Sequence, residues 1–279
     1  MRKCKLCLLP EIVPNANIDN IGVCSYCWSY QLRDHNADET RRKMFEVDLE
    51  KTLRNCKGTG QYDCLVSFSG GKDSIYLLHK LKNNYGLRIL AFTCDLDIPK
   101  VGWDNIKRTI EKLNIDHIIF KPPMEFYRKF FRFLLRNQDA RGAVQTVCYI
   151  SAPLTEGYAL KIATEKNIPL IVAGYSPGQP EPDWMLYEMK RDKICEQDWT
   201  PKVLTESGLF SQNELDYFWN PKKFKTGTQF PRYLAPFHAW EYNQAEVMQE
   251  VVNLGLVAKR KNANPLYSNS PFQWLLMYS

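Results

Sequence analysis

At 279 residues the chain can hold one substantial core with a small appendage, or two modest domains. Its formal charge of +6 is too mild for a dedicated DNA-binding stripe and suits an anionic ligand such as a nucleotide, with RNA left open as a substrate. No apolar run is long enough to span a bilayer, and Pro10 and Glu11 interrupt the apolar run near the N-terminus, so neither a membrane span nor a signal peptide is expected.

Nine cysteines without an export signal point to thiols in a reducing, cytoplasmic setting, where metal binding or catalysis outranks disulfides. Four of them open the chain. Cys4 and Cys7 form CKLC, and after sixteen intervening residues Cys24 and Cys27 form CSYC. Two tight turns that each present a pair of thiolates suit tetrahedral zinc, and predict a closed, structural zinc knuckle over residues 1–30. An iron–sulfur cluster is the less favoured occupant of the same four sulfurs.

Residues 31–62 are charged, with Phe45, Leu49 and Leu53 each four apart. That spacing puts them on one face of a connecting helix. From residue 63 the pattern alternates between strand and helix. Short apolar runs at 64–68, 88–95, 117–123 and 168–175 read as strands, the third stopped by Pro122 and Pro123. Amphipathic stretches beginning SIYLLHKL, VGWDNIKR, EFYRKFF and APLTEGY read as the helices between them. The alternation predicts an α/β domain over 63–182: a parallel sheet of about five strands, covered on both faces, of the Rossmann-like type.

Residues 183–279 form a substrate- or partner-facing region. It is preceded by the proline-rich SPGQPEPDW, is dense in aromatics, and contains a helix through NQAEVMQEVVNLG. Tyr233, His238 and Trp240 offer an aromatic acceptor pocket or, as such density usually implies, core. The last residues, FQWLLMYS, are apolar without a polar cap, and a truncated segment is expected there. His35, His79, His117 and His238 have no metal-binding spacing.

SFSGGKDS, Ser67 to Ser74, follows the first strand. It is not a Walker loop. Val66 stands where that motif needs its first glycine, and Asp73 follows Lys72 where it needs a hydroxyl residue. It still has the parts of an anion cradle. Gly70 and Gly71 allow close backbone approach, and the N–H groups opening the next helix point at the ligand. Ser69 and Ser74 add hydroxyls, Lys72 adds a mobile positive charge, and Asp73 can cap the helix or help hold Mg²⁺.

This loop resembles the pyrophosphate loop of the adenine nucleotide alpha-hydrolase-like (HUP-like) ATP pyrophosphatases. The resemblance implies that ATP, with Mg²⁺, is split to AMP and PPi and that AMP activates a carbonyl or amide oxygen. The four-cysteine start, YDCLVSFSGGKDS, LRILAFTCD and WDNIKRTIEKLNID together resemble the N-acetyl sugar amidotransferases of lipopolysaccharide and surface-glycan biosynthesis. By that resemblance Ser69, Gly70, Gly71, Lys72, Asp73 and Ser74 bind the phosphates, with Lys72 and Asp73 catalytic. Asp95 would lie near adenosine or Mg²⁺, or serve simply as a strand-end turn residue, and Gly174 would let backbone approach the nucleotide.

Nitrogen transfer needs ammonia. The chain shows no glutaminase domain, and Cys4 follows Met-Arg-Lys, so a separate glutaminase subunit is expected to serve a small-molecule acceptor. The alternative is a sulfurtransferase making a thioamide or thiolated base, with Cys148 as the thiol, Cys195 as its partner and a sulfur-donor protein. Both cysteines also suit plain packing. A third reading is a non-catalytic nucleotide-binding module.

Overall fold

The computed structural model describes residues 1–13, 15–31, 35–58, 60–138, 143–177, 179 and 184–263, without the side chains of 35, 36 and 143–151. It divides into two units, Met1–Met44 and Phe45–Ser279.

The first unit is organised around buried Cys4, Ile18 and Cys24. Asp19 shapes its second turn, accepting from the N–H groups of Ile21 and Val23 at 3.0 and 2.9 Å. Gly22 completes that turn at φ +88°, a conformation that glycine adopts without a side-chain penalty. Helix α1 (Ser25–Gln31) follows, and α2 (His35–Asn55) begins before the unit boundary and continues past it.

The second unit is built on a parallel sheet. Its strands are β1 (Cys64–Ser67), β2 (Ile89–Cys94), β3 (Asp116–Phe120), β4 (Leu170–Ala173) and β5 (Arg232–Leu234). They lie in the order β3-β2-β1-β4-β5, every neighbouring pair parallel. Helices α3 (Lys72–Asn83) and α4 (Lys100–Leu113) make the first two crossovers. Helices α5 (Met124–Arg136) and α6 (Ala143–Glu165) carry the chain from β3 to the far side of β1.

Side chains alternate between the faces as strand periodicity requires. Val66, Ala91 and Val172 face a core built with Ile75, Leu78, Ile106 and Val251. Leu65, Phe92 and Ile171 face the other, built with Ala159, Leu160 and Trp219. Burial on both faces explains why these strands read as continuous apolar runs. At the entry of the sheet, buried Asp63 accepts from the Arg88 N–H at 2.7 Å and pairs with its guanidinium at 2.6 Å.

Beyond β4 come short helices α7 (Arg191–Glu196), α8 (Lys202–Glu206) and α9 (Gln212–Leu215), then β5 and α10 (Gln244–Asn253). The Asn243 side chain caps α10, accepting from Ala245 and Glu246. Two elements depart from the sequence patterning. Helix α6 begins at Ala143 and carries Pro153 inside it, whereas the pattern starts it at Ala152. Strand β5 comes out of the aromatic-rich region, pairing Ile171 with Tyr233. Three residues are too few to show a period, and tertiary pairing makes the strand. Among the described residues no helix is long and apolar enough to cross a membrane.

Candidate active site and metal centre

The strand order reverses between β1 and β4, because β2 and β3 lie on one side of β1 and β4 and β5 on the other. Ligands of open parallel sheets bind beyond the carboxyl ends of the strands at such a point. SGGKDS is the loop that leaves β1 there.

The loop is held by its own serines and by its neighbours. Ser69 Oγ and Ser74 Oγ lie 3.3 Å apart, and Ser74 Oγ donates to the Gly71 carbonyl at 3.0 Å. Gly70 sits at φ +74°, and a Cβ there would fall 2.7 Å from the Gly102 carbonyl and from Ile106 of α4. Asn105 of α4, buried, donates to the Gly70 carbonyl at 3.1 Å and to the Asn262 carbonyl at 2.8 Å. On the strand side Thr93 donates to the Phe68 carbonyl at 2.6 Å, and His117 Nε2 meets the same hydroxyl at 2.8 Å. A groove of about 620 Å³ between α4 and the following C-terminal segment shares Asn105 and Asn262 but has mixed charge, with Asp104 and Glu111 among its lysines and arginine.

Helix α3 starts at Lys72, so Lys72, Asp73 and Ser74 form its first turn, and all three are buried. Lys72 Nζ is 2.6 Å from Asp73 Oδ2, and the Tyr242 hydroxyl donates to Asp73 Oδ1 at 2.8 Å. Both carboxylate oxygens are therefore occupied. Asp95, just past β2, accepts from the Ile98 N–H at 3.0 Å and from Lys121 Nζ at 2.8 Å. That is the bonding of a strand-end turn residue with an added ion pair. Gly174, just past β4, leaves the space of its missing Cβ to the backbone of Asp73 and Ser74. It joins the end of β4 to the start of α3.

Cys148 falls in α6, but its side chain lies outside the described residues. Cys195 is partly buried on α7 and packs against the second core. Cys94 ends β2, and burial pushes its thiol up to about 12. Cys56 and Cys64 are packing residues, both raised chiefly by burial. Tyr233 and Trp240 are buried in the cores rather than lining an acceptor pocket; Tyr233 OH meets Ser67 Oγ at 3.1 Å, and Lys80 lies 3.9 Å over the Trp240 ring.

Three participants escaped the sequence reading. Asn105 left a trace, since it shares the buried stripe of α4 with Gly102, Ile106 and Thr109. A polar side chain on an apolar stripe needs a partner. Tyr242 left none, because its partner lies 169 positions away. Glu156 is the third: it is 2% exposed and receives the hydroxyl of Tyr175 and the indole N–H of Trp184. Burial pushes its carboxyl up to about 7 against those two donors.

In the first unit the Cys4, Cys7, Cys24 and Cys27 sulfurs all lie within 4.8 Å of one another. Cys4 and Cys27 are 3.7 Å apart, Cys7 and Cys24 3.6 Å, and the Cys24 N–H points at the Cys4 sulfur from 3.3 Å. Four soft donors this close together are a donor set that could hold zinc or iron.

No family model matches the chain. Over 120 residues it is 32% identical to a probable sulfurtransferase of Methanocaldococcus jannaschii, an alignment taking in 38% of this chain and 35% of that protein. The chain thus spans about a third of the length of that curated relative. Among solved structures it is similar to the U34-tRNA thiolase NcsA of Methanococcus maripaludis with its 4Fe-4S cluster, at 15% identity and a TM-score of 0.44, over 99% of this chain and 80% of that one. It is also similar to the NMN synthetase of Francisella tularensis, at 14% identity and a TM-score of 0.42, over 80% and 73% of the two chains.

Proposed function

We propose that this chain is a pyrophosphate-loop enzyme that transfers AMP from ATP to a carbonyl or amide oxygen and then exchanges that oxygen for sulfur. The observation that carries the ATP chemistry is the SGGKDS loop at the β1/β4 switch point, with buried Lys72 and the opening N–H groups of α3 at one place. The acceptor oxygen attacks the α-phosphorus, the α–β anhydride bond breaks, and PPi leaves with the bonding pair. The incoming atom then bonds to the activated carbon, and AMP leaves with the former acceptor oxygen. Lys72 offsets charge on the departing PPi while Ser69, Gly70, Gly71 and Ser74 hold the phosphates. Mg²⁺, when bound, would supply charge neutralisation between phosphates and a carboxylate such as Asp73.

Sulfur is favoured by the 32% identity over 120 residues with a probable sulfurtransferase. A sulfur-donor protein would then serve the site in the cytoplasm. Nitrogen transfer to an N-acetyl sugar, fed by a glutaminase subunit, is the second reading.

For the four cysteines we propose a single structural zinc ion. Zinc–sulfur bonds of about 2.3 Å in a tetrahedron put sulfurs about 3.8 Å apart, close to the 3.6 and 3.7 Å pairs here. A four-iron cube interposes its own edges and needs its thiolates farther apart.

The deciding experiment incubates the chain with Mg²⁺, ATP and either sulfide or ammonia against N-acetyl sugars and nucleobases, with mass spectrometry of the products. Oxygen-to-sulfur exchange with AMP and PPi is the expected result. Oxygen-to-nitrogen exchange installs the second reading, and ADP with phosphate overturns the pyrophosphatase assignment.

A further inference from the structure

The Asp73 carboxylate is gripped from two sides. Lys72 Nζ holds Oδ2 at 2.6 Å, and Tyr242 OH holds Oδ1 at 2.8 Å. Lys72 and Asp73 are adjacent on a helix, where neighbouring side chains ordinarily diverge, yet they close on each other with side-chain exposures of 5% and 11%. Tyr242 arrives from the far end of the chain. Its ring packs against Phe237 with centroids 5.2 Å apart, and its hydroxyl also interacts with the Ser176 side chain. Burial and the neighbouring Asp73 raise its phenol well above the ordinary value, so it remains a hydroxyl donor through the neutral range.

The arrangement has a consequence for ligand binding. Pairing with Asp73 offsets the Lys72 charge and holds its ammonium back from a phosphate, and a buried carboxylate left with no donor is strongly disfavoured. A second donor that stays with Asp73 lowers the cost of releasing Lys72. We propose that Tyr242 is the positioning residue for Asp73, keeping its carboxylate in place when Lys72 moves to the phosphates of ATP. This assignment rests on the ATP reading above. It makes the segment after β5 part of the nucleotide site, although no residue of that segment belongs to the glycine loop.

The test is a double-mutant cycle on MgATP affinity by titration calorimetry, using the full chain as wild type, Tyr242→Phe, Asp73→Ala and the double variant. Tyr242→Phe keeps the ring and is expected to weaken MgATP about tenfold while the melting temperature stays within a few degrees. In the Asp73→Ala background the same change should cost less than twofold, because its target is gone. In turnover the loss should appear in the KM for ATP, with kcat within about threefold. Tyr242→His restores a ring N–H and should bind MgATP more tightly than Tyr242→Phe; Tyr242→Leu, which also lacks a donor, enters the cycle instead if the Phe variant does not fold. Equal losses in both Asp73 backgrounds, or an unchanged affinity in Tyr242→Phe, overturn the assignment. A wild-type chain that binds no MgATP sinks the ATP reading itself.

Discussion

Gly174 and Ser74 meet so closely that a Cβ on Gly174 would lie 2.9 Å from the Ser74 backbone nitrogen and 3.0 Å from its Cα. The atoms that would have to give way are main chain at the start of α3, not the tip of a flexible side chain. Overpacking of that kind typically costs about 1–3 kcal/mol. Gly174→Ala should therefore lower the melting temperature by several degrees and, if the proposed phosphate site is correct, weaken nucleotide binding more than its stability loss alone explains, since the displaced N–H belongs to the first turn of α3 in that site. Calorimetric melting and MgATP titration on one preparation check both effects. An unchanged ATP affinity would separate Gly174 from the site.

The glycine loop and its place after a buried strand were legible in the sequence because both depend on local order: apolar run, glycine turn, amphipathic helix. The four cysteines were legible for the same reason, as two short pairs. Asp73's surroundings were not. Its carboxylate is shared with Tyr242, whose position beside it is fixed only by the fold of the chain after β5. Strand β5 has the same cause. Arg232–Leu234 becomes a strand through pairing with β4 and through the grip of Arg232 on Asp48 and Glu188, each at 2.7 Å, and none of these partners is local. Glu156 is hidden differently, since an acidic residue in a helix ordinarily signals a solvated face.

The sulfur spacing of Cys4, Cys7, Cys24 and Cys27 predicts one zinc ion per chain on elemental analysis of protein purified under reducing conditions. Its removal by a strong chelator should speed hydrogen exchange across residues 1–30 and leave exchange in β1, β2 and β4 unchanged, because those strands are buried by their own two cores. Cys24→Ser should abolish stoichiometric zinc. Visible charge-transfer absorption with iron in place of zinc would move the centre to the iron–sulfur alternative.

Asp63 ties the entry of β1 to β2, accepting from backbone N–H groups of Gly58 and Arg88 and from the Arg88 guanidinium. Burial alone would raise its carboxyl, but these donors outweigh it and hold it below the ordinary carboxylate value. A depressed carboxylate contributes stability that is present above its unfolded pKa and lost as pH falls through the folded value. Asp63→Asn should therefore cost about 1–3 kcal/mol near neutrality and progressively less in acid. Urea melts at pH 7 and at pH 3 would show it; an equal cost at both would assign the effect to shape rather than charge.

Glu156 titrates in the opposite sense. Its carboxyl is raised to about 7 because it is buried, with only Tyr175, Trp184 and the more distant Lys193 charge to favour ionisation. A carboxyl raised in the fold contributes stability that is complete below its ordinary value of about 4.5 and is lost as pH climbs through about 7. Glutamine can still accept from the Trp184 indole and meet the Tyr175 hydroxyl with its amide, and it never has to ionise. The stability of Glu156→Gln relative to wild type should therefore improve between pH 5 and pH 8 by a few kcal/mol, each pKa unit being worth about 1.4 kcal/mol. Because Tyr175 and Trp184 flank the segment that leaves β4, the wild type should also lose protection at those two residues over the same interval while the glutamine variant keeps it. Chemical denaturation in parallel with hydrogen exchange at the two pH values reads both; a stability gap independent of pH would show that Glu156 does not ionise in this range.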